Sequence, residues 1–177
     1  MSRPMTLTHP RLRTIAAVAA AAITTLAPAA AQAAEPTAAV CENTFTATIS
    51  PGFSLIPTSG TETTDGETGT ILCAGMIRGH RVTGLGAIGF DTTYTASTCT
   101  SESSTGTVQF TVPTTGGTQR VEGALAVWRT ALAVRVEVRA PDMSFTGIGV
   151  VVPTEGTCLL SPIRQALISI TGSLSAT

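Results

Sequence analysis

The chain has 177 residues, 43% of them hydrophobic, with ten cationic residues against eleven acids and a net charge of −1. All ten cations are arginine and none are clustered in the body of the chain. There is therefore no footprint for nucleic acid or anionic lipid, whose phosphates must be neutralised several at a time.

Arg3, Arg11 and Arg13 open the sequence, residues 14–26 follow as an apolar, alanine-rich run, and Pro28 precedes the small-residue site Ala31-Gln32-Ala33. Positive start, apolar stretch and small residues at a cut are the order of a secretory signal peptide. Residues 1–33 are read as a cleaved leader and 34–177 as a single secreted, extracellular all-β domain. The apolar run contains Thr24 and Thr25 and falls short of the roughly 20 residues of a spanning helix. Cys41 lies beyond the better cleavage site and there is no Arg-Arg pair, so neither a lipid anchor nor a twin-arginine route is expected. No stable membrane anchor should remain after cleavage. Seven arginines then face eleven acids, a net charge near −4. In lacking lysine and in its alanine-rich leader the chain resembles the small secreted proteins of high-GC actinobacteria. That resemblance rests on composition and leader style and implies export, not an activity.

Beyond the leader the chain reads as strands. Threonine, valine and isoleucine are abundant, Gly or Pro punctuates them, and no window longer than about ten residues keeps a helical period. Strands are expected at 42–49, 70–77, 81–88, 92–98, 107–112, 119–128, 132–139, 143–152 and 163–170. The clearest is 132–139, where Leu132, Val134, Val136 and Val138 alternate with Arg135, Glu137 and Arg139, one face buried and one wet. Residues 50–69 carry no strand pattern and are read as a flexible loop holding Glu62, Asp65 and Glu67. Eight or nine short strands with short connections favour an antiparallel barrel or a two-sheet sandwich.

Cys41, Cys73, Cys99 and Cys158 are the only cysteines. In an exported chain an even count reads as two disulfides, with three possible pairings. If neighbouring strands pair as hairpins, Cys41 and Cys73 fall on adjacent strands, which leaves Cys99 with Cys158.

Gly84, Gly86 and Gly89 reproduce the dinucleotide fingerprint G-x-G-x-x-G. That chemistry needs the glycines to open a helix whose amides hold a pyrophosphate; here the β-prone Phe90-Asp91-Thr92-Thr93-Tyr94 follows, so no cofactor is expected. His80 is the only histidine after the leader and would have to serve any serine or cysteine nucleophile as base, oriented by Asp91 or Glu122 and flanked by Arg81. It sits in Arg78-Gly79-His80-Arg81, whose ordinary reading is a solvated turn. Glu122 and Glu137 are the most available carboxylate pair for glycoside chemistry, although Arg135 and Arg139 suggest a charge-balanced surface around Glu137. Glu62, Asp65 and Glu67 lack the spacing of a calcium loop, so no metal is expected. Arg120 and Arg129 are candidates to hold an anionic ligand. Trp128 is a candidate pocket rim, though more ordinarily a core residue. The expectation for function is a binding module for a small apolar ligand or a protein partner. An extracellular enzyme near His80 and a protease-inhibitor-like module presenting residues 50–69 are the alternatives.

Overall fold

The computed structural model describes residues 36–64 and 69–177. The leader expected at residues 1–33, together with Asp65 and Glu67, lies outside them. Ten strands and no helix occur among the described residues: β1 (Ala38–Phe53), β2 (Thr58–Thr63), β3 (Gly69–Ile77), β4 (His80–Arg81), β5 (Leu85–Ser97), β6 (Ser101–Thr114), β7 (Gly117–Thr130), β8 (Ala133–Arg139), β9 (Met143–Glu155) and β10 (Ile163–Ala176).

Period-two patterning builds them. In β6, Val108, Phe110 and Val112 are buried while Thr105, Thr107 and Gln109 face solvent. In β8, Val134, Val136 and Val138 point inward and Arg135 and Arg139 outward. Threonine dominates the outer faces, where a β-branched side chain suits a pleated, half-wet surface.

All pairings are antiparallel, and the ladder returns to its start. From β5, strands β6, β7, β8, β9 and β10 follow as consecutive neighbours. β10 then pairs with β1 from Ala38↔Ser175 to Phe53↔Ile163. Between β1 and β5, two strands share one place. β2 pairs with β1 at Thr48↔Thr63 and with β5 at Thr63↔Asp91. β3 pairs with β1 at Thr44↔Thr70 and with β5 at Gly69↔Ile88. The result is a closed up-and-down sheet about eight strands round, a size whose interior side chains can fill. Closure also removes the unpaired edges that invite aggregation. Phe45, Ile71, Phe90, Phe110, Val136 and Ile168 are among the inward residues, and the Phe45 and Phe90 rings meet edge-on at 5.1 Å.

Two disulfides brace the sheet. Cys41 on β1 stands directly opposite Cys73 on β3. Cys99, in the β5–β6 turn, is bonded to Cys158, in the β9–β10 loop.

Three local expectations are corrected. The segment expected to be strandless contains β2, because Thr61–Thr63 find partners on both β1 and β5 that a local pattern does not reveal. The runs expected at 81–88 and 92–98 are largely one strand, β5, with only two residues of β4 before it. Leu132, expected inside, sits exposed in the β7–β8 turn.

Up-and-down order gives the sheet two distinct ends. At one end lie residues 54–57, 98–100, 131–132 and 156–162, stitched by the Cys99–Cys158 bridge and by bonds from Cys99 N to Ser54 O and Ala131 N to Thr100 O. At the other lie 78–79, 115–116 and 140–142, where Gly79 N reaches Pro36 O and Arg78 pairs with Asp142 at 2.6 Å.

Candidate functional site

The interior is mostly apolar, and its buried charged residues gather in one polar layer near the Cys99–Cys158 end. Extending the inward phase of Val108 and Phe110 backwards along β6 places Ser104 and Glu102 inside. On β7, Arg129 continues the phase of Leu125 and Val127. Glu102 and Arg129 are register partners across the two strands. The Arg129 Nε donates to Glu102 Oε2 at 2.9 Å. Its terminal nitrogens donate to the carbonyls of Cys99 at 2.5 Å, Thr98 at 2.8 Å and Ala131 at 3.2 Å. The guanidinium also lies over the Phe53 ring, 4.6 Å from its centroid. Ser104 Oγ donates to Glu102 Oε1 at 2.9 Å. A charge this deeply buried survives only when its partners are this complete.

Glu62 on β2 enters the same layer at 4% exposure. Burial pushes its carboxyl well above the usual carboxylate range. The neighbouring Glu102 charge adds to the shift, as does a hydrogen bond between the two side chains, and Arg129 opposes it. The layer thus sets two acids against one guanidinium, and Glu62 is the acid whose proton is held above the usual range. Repulsion between like charges at close range favours the protonated form of the acid that lacks the cation. Tyr94, 1% exposed, stacks on Phe53 at 4.8 Å between centroids, and burial raises its hydroxyl pKa against lowering contributions from Gly52 and Thr58. Its oxygen and Asn43 Oδ1 are buried atoms that make no well-formed hydrogen bond among the described residues.

Two cavities adjoin this layer. The inner one has a volume of about 40 Å³ and is walled by aliphatic and phenylalanine side chains with Asn43 and Glu62 as its polar members. That is room for a few waters and no more. The outer one is a groove of about 360 Å³ at the mouth of the sheet, floored by Phe53, Arg129 and Ala166 and walled by Leu55, Leu132 and Leu159 beside Cys99–Cys158. Its size falls within the range of small-molecule sites. Two residues on its wall, Ala131 (φ 52°) and Cys158 (φ 69°), hold the left-handed backbone that non-glycine residues rarely adopt. Arg129 and the disulfide secure them there.

The residues singled out in the sequence mostly fall elsewhere. His80 packs its ring on Gly116 at the opposite end, while Asp91 lies exposed midway along β5, opposite Thr63 and Thr107. Leu85 and Asp91 alone are roughly 20 Å apart along the strand, so His80 and Asp91 do not meet. Arg81 sits beside His80, its backbone bonded to Thr115. Glu122 and Glu137 both face outward, Glu122 with Arg120 at 3.5 Å and Glu137 with Arg135 at 2.5 Å. Glu137 stands opposite Ala126, four residues from Glu122, a separation of about 14 Å, too wide for either geometry of glycoside hydrolysis. Gly84-Leu85-Gly86 runs into β5 rather than a helix, and a Cβ on Gly86 would collide with the Thr111 carbonyl. Its glycine serves close strand packing.

Three residues depart from expectation. Glu62 is a core acid, not a solvated loop acid. Arg129 already holds an anion, Glu102, whereas Arg120 lies on the outer surface bonded to Gln109. Trp128 points outward, 42% exposed, with Arg135 5.7 Å over its ring, because the phase that buries Arg129 must expose its neighbour.

Compared with known proteins, the chain matches no family model, no curated protein and no solved structure. Among the described residues no helix is long and apolar enough to cross a membrane, and the two disulfides are compatible with an extracellular protein.

Proposed function

We propose that the protein is a secreted binding module that takes one small, uncharged, apolar ligand in the groove at the Cys99–Cys158 end. The carrying observation is the groove itself: about 360 Å³ lined by Phe53, Leu55, Leu132, Leu159 and Ile163 over a single buried cation. That composition, apolar walls with few polar groups, is the usual one for small-ligand sites. The interior offers no comparable space, which moves the ligand from the centre of the sheet to its mouth. Arg129 is neutralised by Glu102, so a carboxylate or phosphate ligand would have to displace that ion pair, and a neutral one would not. The leader read at residues 1–33 and the oxidised cysteines support action outside the cell.

Native mass spectrometry of the protein with a series of n-alkanols tests this. A one-to-one adduct is expected, lost in Thr157→Trp, which fills the groove from an exposed wall position. Absence of any adduct across the series, or an undiminished adduct in Thr157→Trp, would refute the reading.

A further inference from the structure

The two ends of the sheet differ in chemistry more than packing requires. The four connections at the mouth read Ser54-Leu55-Ile56-Pro57, Thr98-Cys99-Thr100, Ala131-Leu132 and Gly156-Thr157-Cys158-Leu159-Leu160-Ser161-Pro162, without one charged residue. The opposite end carries Arg78, His80, Arg81, Arg139 and Asp142. At the mouth Leu55, Ile56, Leu132, Leu159 and Leu160 are all exposed, Ile56 at 76% and Leu160 at 91%. Leu55, Leu132 and Leu159 border the groove, whereas Ile56 and Leu160 do not line it. Their exposure has no explanation in ligand binding.

From this end we infer a second property: the protein docks mouth-first on the surface of an electrically neutral lipid bilayer, with Ile56 and Leu160 entering the acyl boundary. Three observations select that occupant. Aliphatic side chains carried on separate connections at one end, with serine, threonine and proline between them, suit a fluid apolar phase that needs no matching shape. A protein partner is favoured by exposed tryptophan, tyrosine and arginine at the centre of the contact. Here Phe53, Tyr94 and Arg129 are all buried instead. The exposed aliphatic surface is on the order of 600 Å², the size of functional patches on monomers. Among the described residues, the exposed charges next in sequence to these connections are Glu155 and Arg164, one of each sign. Anionic lipid therefore has nothing extra to attract, in a chain without lysine. The Cys99–Cys158 bridge holds two of the connections in place, which lowers the entropy lost on docking.

Co-flotation with phosphatidylcholine vesicles tests the inference. The protein should float with them, no better when phosphatidylserine is added and no worse at high salt, where screening would abolish an electrostatic attachment. The double variant I56S/L160S should partition about 100-fold less, at roughly tenfold per side chain withdrawn from an apolar phase. It should keep its thermal transition and its n-alkanol adduct, since neither residue lines the groove. Conversely Thr157→Trp should still float, so failure of the ligand reading and failure of this one are told apart. The inference is overturned by failure to float, by flotation only with phosphatidylserine, or by unchanged flotation of I56S/L160S. It is also overturned if sedimentation shows the mouth buried in a dimer that I56S/L160S dissociates.

Discussion

Glu62→Gln should make the protein more stable, by an amount that grows with pH. Glu62 is buried against Glu102, and burial followed by the Glu102 charge holds its carboxyl protonated well above the usual range. In the unfolded chain the same carboxyl ionises near the ordinary glutamate value of about 4.3. Below that value both states are protonated and the folded state keeps its full advantage. Above it the unfolded chain sheds a proton that the folded chain retains, so stability falls until pH passes the raised folded pKa. One proton corresponds to a slope of at most about 1.4 kcal/mol per pH unit. Glutamine has the same size, can still donate to Glu102, and cannot ionise. The difference in unfolding free energy between Glu62→Gln and the parent should therefore be smallest below about pH 4 and climb at close to that slope through the mildly acidic range. Urea unfolding followed by circular dichroism at a series of pH values measures it, with unchanged m-values as the check that the states compared are the same. A difference that stays flat with pH would mean that Glu62 is not a protonated acid in the core, and the account of the polar layer would fail.

Other consequences are equally open to measurement. Arg129→Met leaves Glu102 buried without its cation and should cost about 3–5 kcal/mol in urea unfolding, with Glu102→Gln in the same chain recovering part of the loss. Replacing Cys99 and Cys158 together by serine should cost about 4 kcal/mol from loop entropy and weaken n-alkanol binding as well. The Cys41/Cys73 pair, remote from the mouth, should cost a similar amount of stability and leave binding intact. Asp142→Asn breaks a pair that is a third to a half exposed and should change stability by less than about 1 kcal/mol. The hydrogen bond from Arg78 lowers the Asp142 pKa, so what the pair contributes is present above the ordinary aspartate value and lost as pH falls through the lowered one. His80→Ala and Glu137→Gln should leave adduct formation untouched, because neither side chain is at the mouth.

What the sequence made legible follows from where side-chain alternation is strong. Val134, Val136 and Val138 between Arg135 and Glu137 announce a strand and its inner face without reference to anything distant. The up-and-down order made Cys41 and Cys73 neighbours and left Cys99 to Cys158, the pairing the structure contains. Glu102 and Arg129 were hidden because both are charged, and charge reads as surface. Yet carrying the Val108–Phe110 phase back to 102, and the Leu125–Val127 phase on to 129, places both inside, and that signal was present. Trp128 follows from the same phase, on the opposite face. Glu62 carried no such signal. β2 has glycine and threonine beside it in phase, and its strand exists because β1 and β5 offer partners. The groove was equally silent, since it is assembled from four connections that meet only when the sheet closes.

Backbone amide chemical-shift mapping during titration with n-decanol tests the central proposal most directly. Saturable shifts should appear at Leu55, Cys99, Ala131, Leu132, Thr157, Cys158 and Leu159, and spread to Phe53 and Arg129 beneath them. Residues 78–81 and 140–142 at the charged end should stay still. Shifts that never saturate, or that centre on the outer wall around Trp128 or on the charged end, would contradict the assignment of the mouth as the binding site.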